Sequence, residues 1–364
     1  KMKKRVFALL LAGALCAGLA ACGQSTQDTT AAADTAAEAD TEAAASEDAG
    51  AADTEADDAA ETTGSGKVTV YMPSPAGLAD KLAEAFTAET GIQVEQFQGT
   101  TGEILARLET EAANPVADVV ILASWSDGLT MKEDGQIMSY TPANADLVNE
   151  GWIDEDSMLF GYSASAVGVI YNTTIYPELS ADWADLAGAD YTDDIAIPDP
   201  EKSGACKDFL AGMVTGLDNG EEIMQSWADN GLTVPGANSA ALESVTTGEK
   251  GILIAGVDYN AYSSMADGEP LSIYYPASGT VVNPRPAMIM NTAPNVDNAK
   301  AFIDFLFSDE AQQMVADAYL LPGRSDIQCD GRTNLSDIPQ IPTDWTAMMD
   351  IADDTAARLN EICQ

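Results

Sequence analysis

The sequence predicts a two-lobed α/β protein in which each lobe is a mixed or parallel sheet flanked by helices and two strands cross between the lobes. Strand and helix patterns alternate from Val68 to Leu122, and the alternation resumes after Ala166. The roughly 300 residues after the acidic N-terminal region suffice for two separate cores.

Val68-Thr69-Val70-Tyr71-Met72 opens the body as a strand, and a loop from Pro73 to Gly77 leads into a helix. On that helix Leu78, Leu82, Ala85 and Phe86 recur at helical spacing. Gly91 ends it, and Ile92 to Phe97 alternates as a second strand. A helix from Thr101 (Ile104, Leu105, Leu108) and a strand from Asp118 to Leu122 complete a doubly wound parallel layer. Ligands collect outside the carboxyl ends of such strands. Here those ends are the loop of Ser74, Ala76 and Gly77, the loop of Thr100 and Thr101, and the loop of Ser124 and Trp125.

Ala166 to Tyr171 reads as a strand leaving the first lobe. Strand Ile195–Ile197, a Pro198-to-Gly204 loop, a helix through Phe209, Leu210 and Met213, and a strand Leu232–Val234 follow. A helix from Ser239 to Thr247, a strand Gly251–Ala255 and a return strand Leu271–Tyr275 close the second lobe. Strand Pro286–Met290 and helices around Ala299–Phe307 and Glu310–Tyr319 complete the first. The expected division is 67–168 with 274–364 for lobe one and 169–273 for lobe two. A cleft between them can bury a ligand by hinge closure.

Lys1, Lys3, Lys4 and Arg5 precede an apolar stretch of about ten residues, too short to span a bilayer, and Leu19-Ala20-Ala21-Cys22 supplies small residues before a cysteine. Residues 1–21 therefore read as a lipoprotein signal peptide with lipid on Cys22; the alternative is an ordinary signal with an incidental cysteine. From Asp28 to Glu61 there are 12 acids and no base. Residues 22–66 are thus expected to be a disordered, self-repelling spacer between membrane and body.

The chain has 16 Lys+Arg, 59 Asp+Glu and no histidine. So acidic a surface repels nucleic acid, whereas oriented backbone dipoles can still hold a small anion. Lacking histidine, the chain has no Ser-His-Asp triad and no His-based zinc site. Cys206, at a helix start, is the one nucleophile to name, or else a small buried residue. Cys329 and Cys363 can form one bridge if geometry allows. No catalytic residue, cofactor or resident metal is expected, and the body is expected to be a monomer.

In the order and spacing of its motifs the chain resembles extracellular solute-binding proteins of ABC importers, in the ferric-iron and organophosphate group. These motifs are Val68-Thr69-Val70-Tyr71, Ala85-Phe86-Thr87-Ala88-Glu89-Thr90-Gly91-Ile92, Ala117-Asp118-Val119, Gly168-Val169-Ile170-Tyr171-Asn172-Thr173, Ile195 to Pro200 with Ser203-Gly204, Tyr275-Pro276-Ala277-Ser278-Gly279, Ala299 to Leu306 with Gln312, and Pro322-Gly323-Arg324. The resemblance implies a periplasmic-binding-protein fold of type II and delivery of a small ligand to a permease driven by a cytoplasmic ATPase.

Ferric members of that group use an adjacent tyrosine pair where this chain reads Gly256-Val257-Asp258-Tyr259-Asn260-Ala261-Tyr262. Phenolates suit a hard cation, but the adjacent pair is missing, and the side chains of Tyr274 and Tyr275 point to opposite faces if they lie in a strand. The expected cargo is therefore a small phosphorylated organic molecule, a sugar phosphate or an aminophosphonate, with ferric iron, bare or with a synergistic anion, as the alternative. Ser203 and Gly204 opening a helix offer donors to an anion, as do the Ser74–Gly77 and Thr100–Gly102 loops from the facing lobe; for each loop the alternative is ordinary turn and helix-cap chemistry. Asp258 can accept hydrogen bonds from the organic part or cap a helix, Tyr259 lies beside it, and Trp125 can stack on a ligand or pack. Arg285 and Arg324 can each grip a phosphoryl oxygen bidentately, but both are expected to pair with surface acids instead. A tethered extracellular enzyme is the rival class.

Overall fold

A computed structural model describes residues 65–75 and 77–363; Cys22, the signal segment, the spacer up to residue 64 and Ala76 lie outside the described residues. Runs of β-branched and aliphatic residues form the central strands because both of their faces are covered. The first layer contains β1 (Lys67–Met72), α1 (Leu78–Thr90), β2 (Gln93–Gln98), α2 (Thr101–Glu111), β3 (Val119–Ile121), α3 (Trp125–Glu133) and β4 (Ile137–Met138). β1 lies between β2 and β3 and is parallel to both, as the alternation predicts. Phe86 of α1 packs edge-on against Phe302 in the core beneath.

β5 (Phe160–Asn172) is a single buried strand of 13 residues. Its first half pairs antiparallel with β9 (Val282–Met290), and its second half with β7 (Ile252–Val257) and β8 (Leu271–Tyr274). The full strand order β2-β1-β3-β9-β5-β7-β6 therefore runs through both lobes, with β6 (Ile195–Ala196) at the far edge. The two crossings are β5 itself and the segment between β8 and β9. Leu232–Val234, expected as a strand, makes only an isolated bridge from Thr233 to Ala196. Around this frame lie α4 (Gly204–Gly216), α5 (Gly220–Asp229), α6 (Asn238–Thr246), α7 (Asp258–Ala266), α8 (Val296–Leu306) and α9 (Asp309–Asp317). β10 (Leu321–Pro322) adds to the β5 edge.

The last helix, α10 (Trp345–Ile362), begins at an Asp344 cap that accepts the Ala347 N–H at 3.1 Å. It packs along α4 and also touches α3 and α5, so it spans elements of both lobes. Cys206, Cys329 and Cys363 are free thiols, which corrects the possible Cys329–Cys363 bridge. Cys329 instead donates to the Leu320 carbonyl at 2.9 Å.

Candidate functional site

The carboxyl-end loops converge as the strand order requires. Ser74, Thr100, Thr101, Ser203, Gly204 and Tyr259 line one cavity of about 450 Å³ between the lobes. A second cavity of about 520 Å³ continues past Tyr259 and Asn260, which line both. Gly77, Ser124, Trp125 and Asp258 are not among the lining residues of either. A larger hollow of about 610 Å³ beside α2 and α3 carries five acids and mainly apolar walls, with no unpartnered donor among its lining residues.

Most of the hydroxyls predicted to hold a ligand already have local work. Thr100 caps α2 in a reciprocal box with Glu103, and the Thr101 hydroxyl accepts the Ala123 N–H at 3.1 Å. Ser203 caps α4 by accepting the Cys206 N–H at 3.2 Å and donates to Asn238 at 2.9 Å. Gly77 begins α1 with φ of 77°, a left-handed conformation that favours glycine. The capping reading therefore holds for Thr100 and Ser203, both of which stand at the cavity wall.

The Ser124-Trp125 loop is filled by the protein's own carboxylate. Asp208 of α4 reaches across to the start of α3 and accepts from Ser124 Oγ at 3.1 Å and from the Trp125 N–H at 2.8 Å. The anion that this helix terminus attracts is thus internal. Burial, reinforced by the negative charge of Asp127, raises the Asp208 carboxyl to about 6. The Trp125 indole is buried 6.3 Å from Trp345, in a packing role.

Asp258 also departs from expectation. It is the first residue of α7 rather than its cap, is fully buried, and pairs with Arg332 at 2.5 Å. It further accepts from the Ala166 N–H at 3.1 Å and the Tyr275 hydroxyl at 3.0 Å. Burial and then the Asp258 charge push the Tyr275 phenol far upward, so it stays a donor. The Cys206 thiol is also held protonated, raised well above its ordinary value by burial.

Arg324 pairs with Asp309 and Asp326, as expected. Arg285 does not pair. It is 1% exposed and lines the interlobe cavity, yet its Nε and Nη2 have no hydrogen-bond partner among the described residues. Its guanidinium lies 5.7 Å from the Tyr259 ring centre. Ser74 Oγ, on the same cavity wall, is buried and equally unpartnered. Leaving buried donors unmade costs about 1–3 kcal/mol each, and more for a charged group. The sequence carried a signal against the ion-pair expectation for Arg285: it is the sole base in an acid-free stretch from Pro270 through Val296, in a chain rich in acids.

A family model described as bacterial extracellular solute-binding protein matches residues 114–346. The chain belongs to this family. It is a solute-binding protein of the ABC-importer kind, as the motif order implied. It is 28% identical over 280 residues to iron uptake protein A1 of Synechocystis sp., covering 71% of this chain and 76% of that protein. Against a putative 2-aminoethylphosphonate-binding periplasmic protein of Salmonella typhimurium it is 26% identical over 258 residues, covering 67% and 73%. Among solved structures it resembles the periplasmic binding protein AfuA from Actinobacillus pleuropneumoniae with fructose-6-phosphate bound. The TM-score is 0.73 at 21% identity over 82% of this chain and 97% of that one. Iron-bound HitA from Pseudomonas aeruginosa gives a TM-score of 0.72 at 20% identity, covering 80% and 99%. These structural likenesses establish that this solute-binding protein has the two-lobed type II fold.

Proposed function

We propose that this solute-binding protein captures a small phosphorylated organic anion, a sugar phosphate or an aminophosphonate, in the interlobe cavity and delivers it to its permease. The observation that carries the reading is Arg285, a buried residue of the cavity wall whose Nε and Nη2 have no hydrogen-bond partner among the described residues. Arginine offers a planar fork to phosphoryl oxygens, and a water-poor cleft strengthens the attraction. Lys202 on the cavity rim is paired with Asp199 at 3.0 Å, and Glu103, the one acid among the described lining residues, is engaged in capping α2, which leaves Arg285 as the unpaired charge there.

Ferric iron is the weaker reading. Tyr259 is the one phenol lining this cavity, and the hydroxyls of Tyr262, Tyr274 and Tyr275 are engaged with Thr333, Ala181 and Asp258. Among the described residues no cluster of three His, Cys, Asp or Glu suits a metal ion. We further propose that the lipid on Cys22 and the acidic spacer tether a monomeric, non-enzymatic receptor outside the cytoplasm, beside its importer.

Calorimetric titration with fructose 6-phosphate, 2-aminoethylphosphonate and ferric citrate tests the cargo. At least one phosphorylated ligand is expected to bind, and Arg285→Gln is expected to weaken it about 100-fold, the scale of losing charged hydrogen bonds. Tight ferric binding without any phosphorylated ligand, or an Arg285→Gln variant with unchanged affinity, overturns the reading.

A further inference from the structure

We infer that Ser163 and Ser165 of β5 form, with Arg285 and Ser74, a seat selective for a terminal phosphoryl or phosphonyl group with three free oxygens. The inference rests on the phosphorylated-anion reading above and assigns its binding residues and ligand class. Both serines are fully buried, neither lines the cavity that Ser74 and Arg285 line, and neither hydroxyl has a hydrogen-bond partner among the described residues. Ser163 lies directly opposite Arg285 in the β5–β9 ladder, and Ser165 opposite Asn283. Residues directly opposite in an antiparallel pair project from the same face, and so do residues two apart on one strand. Ser163, Ser165 and Arg285 therefore share one face of the sheet.

A backbone irregularity produces this alignment. Phe160 faces Ala287 and Gly161 faces Pro286, but the register then slips so that Ser163, rather than Tyr162, opposes Arg285. A bulge of this kind re-aims side chains and recurs next to binding sites. Without it a phenol ring would stand beside the guanidinium and the serines would turn to the opposite face. Tyr162 is the extra residue, its phenol likewise buried without a partner among the described residues, and it leaves Ser163, a small donor, directly opposite the unpartnered cation.

The donor count points to the ligand class. Nε and Nη2 of Arg285 present one bidentate edge, and Ser74, Ser163 and Ser165 each add a hydroxyl. A carboxylate or a phosphodiester offers two free oxygens to such a set, whereas a monoester or phosphonate offers three, each accepting two bonds.

Calorimetry on the whole chain with methylphosphonate and 2-aminoethylphosphonate, against dimethyl phosphate and acetate, provides the test. The wild type is expected to bind the two phosphonates more tightly than the diester or the carboxylate. Ser163→Ala/Ser165→Ala is expected to lose at least tenfold of that affinity while its ligand-free melting temperature equals or exceeds the wild type's, because unpartnered hydroxyls contribute nothing to the fold. If the double variant binds the phosphonates like the wild type while Arg285→Gln does not, the serine seat is wrong and the phosphoryl reading stands. A double variant with a clearly lower ligand-free melting temperature makes the hydroxyls structural and overturns the seat. A wild type that binds neither phosphonate nor fructose 6-phosphate overturns both.

Discussion

Asp258 receives the Arg332 guanidinium at 2.5 Å with both side chains fully buried, and the pair joins the start of α7 to the C-terminal segment. Removing one partner of a buried pair strands the other charge and costs about 3–5 kcal/mol. Arg332→Met is therefore expected to lower the ligand-free thermal midpoint by roughly 10 °C, given 2–4 °C per kcal/mol for a chain of this size. A midpoint within 2 °C of wild type contradicts this role. Asp258 looked like a ligand-facing group because it follows β7 at the cleft end of the sheet. Its partner lies 74 residues away, and no local pattern announces such a pairing. Arg285 was misread for the converse reason. In so acidic a chain any base is expected to find a carboxylate, but the residues of β5 beside it on that face are Ser163 and Ser165.

At the scale of elements, α3 and α4 are joined through Asp208, whose carboxylate sits on the first N–H groups of α3. The carboxyl is near 4 when unfolded and about 6 when folded, so the folded state takes up its proton first as pH falls. The stability gained from that proton is fully present below pH 4 and is lost as pH rises through 6. The two-unit difference corresponds to about 2–3 kcal/mol. Asp208→Asn removes this component, so the midpoint of wild type relative to the variant should be higher at pH 4.5 than at pH 7. Thermal denaturation at matched ionic strength reads it, and a pH-independent difference rules the effect out. The strands β1, β2 and β3 and helices α1 and α2 were legible because hydrophobic period and caps agree there. Helix α10 was missed, although Met348, Ala352, Thr355, Ala356 and Leu359 are buried at helical spacing. It lies past the last motif of the resemblance, in a segment read only as the tail of lobe one.

For the whole molecule, the lobes meet where backbone touches backbone. A Cβ on Gly204 would come within 2.7 Å of Ser124 Cβ and 2.9 Å of the Ala123 carbonyl. One on Gly102 would come within 2.5 Å of the Glu201 carbonyl. Gly204→Ala is therefore expected to hold the lobes apart, increasing the radius of gyration in small-angle scattering and weakening ligand roughly tenfold through a smaller closed population. Unchanged scattering and affinity together reject this. The two-lobed architecture was readable because repeated strand–helix alternation leaves few topologies. The closeness of approach was not, since it depends on which loops lack side chains at one contact.

The pairing of β3 with β9 has a consequence for the timing of folding. Val119 waits for Ile289, roughly 170 residues later, before the first sheet can close, and non-local closure of this kind is slow. Until β9 is made, β3 has an open edge and Arg285 has no burial site. The strand that carries Arg285 thus also fixes when the first sheet can close.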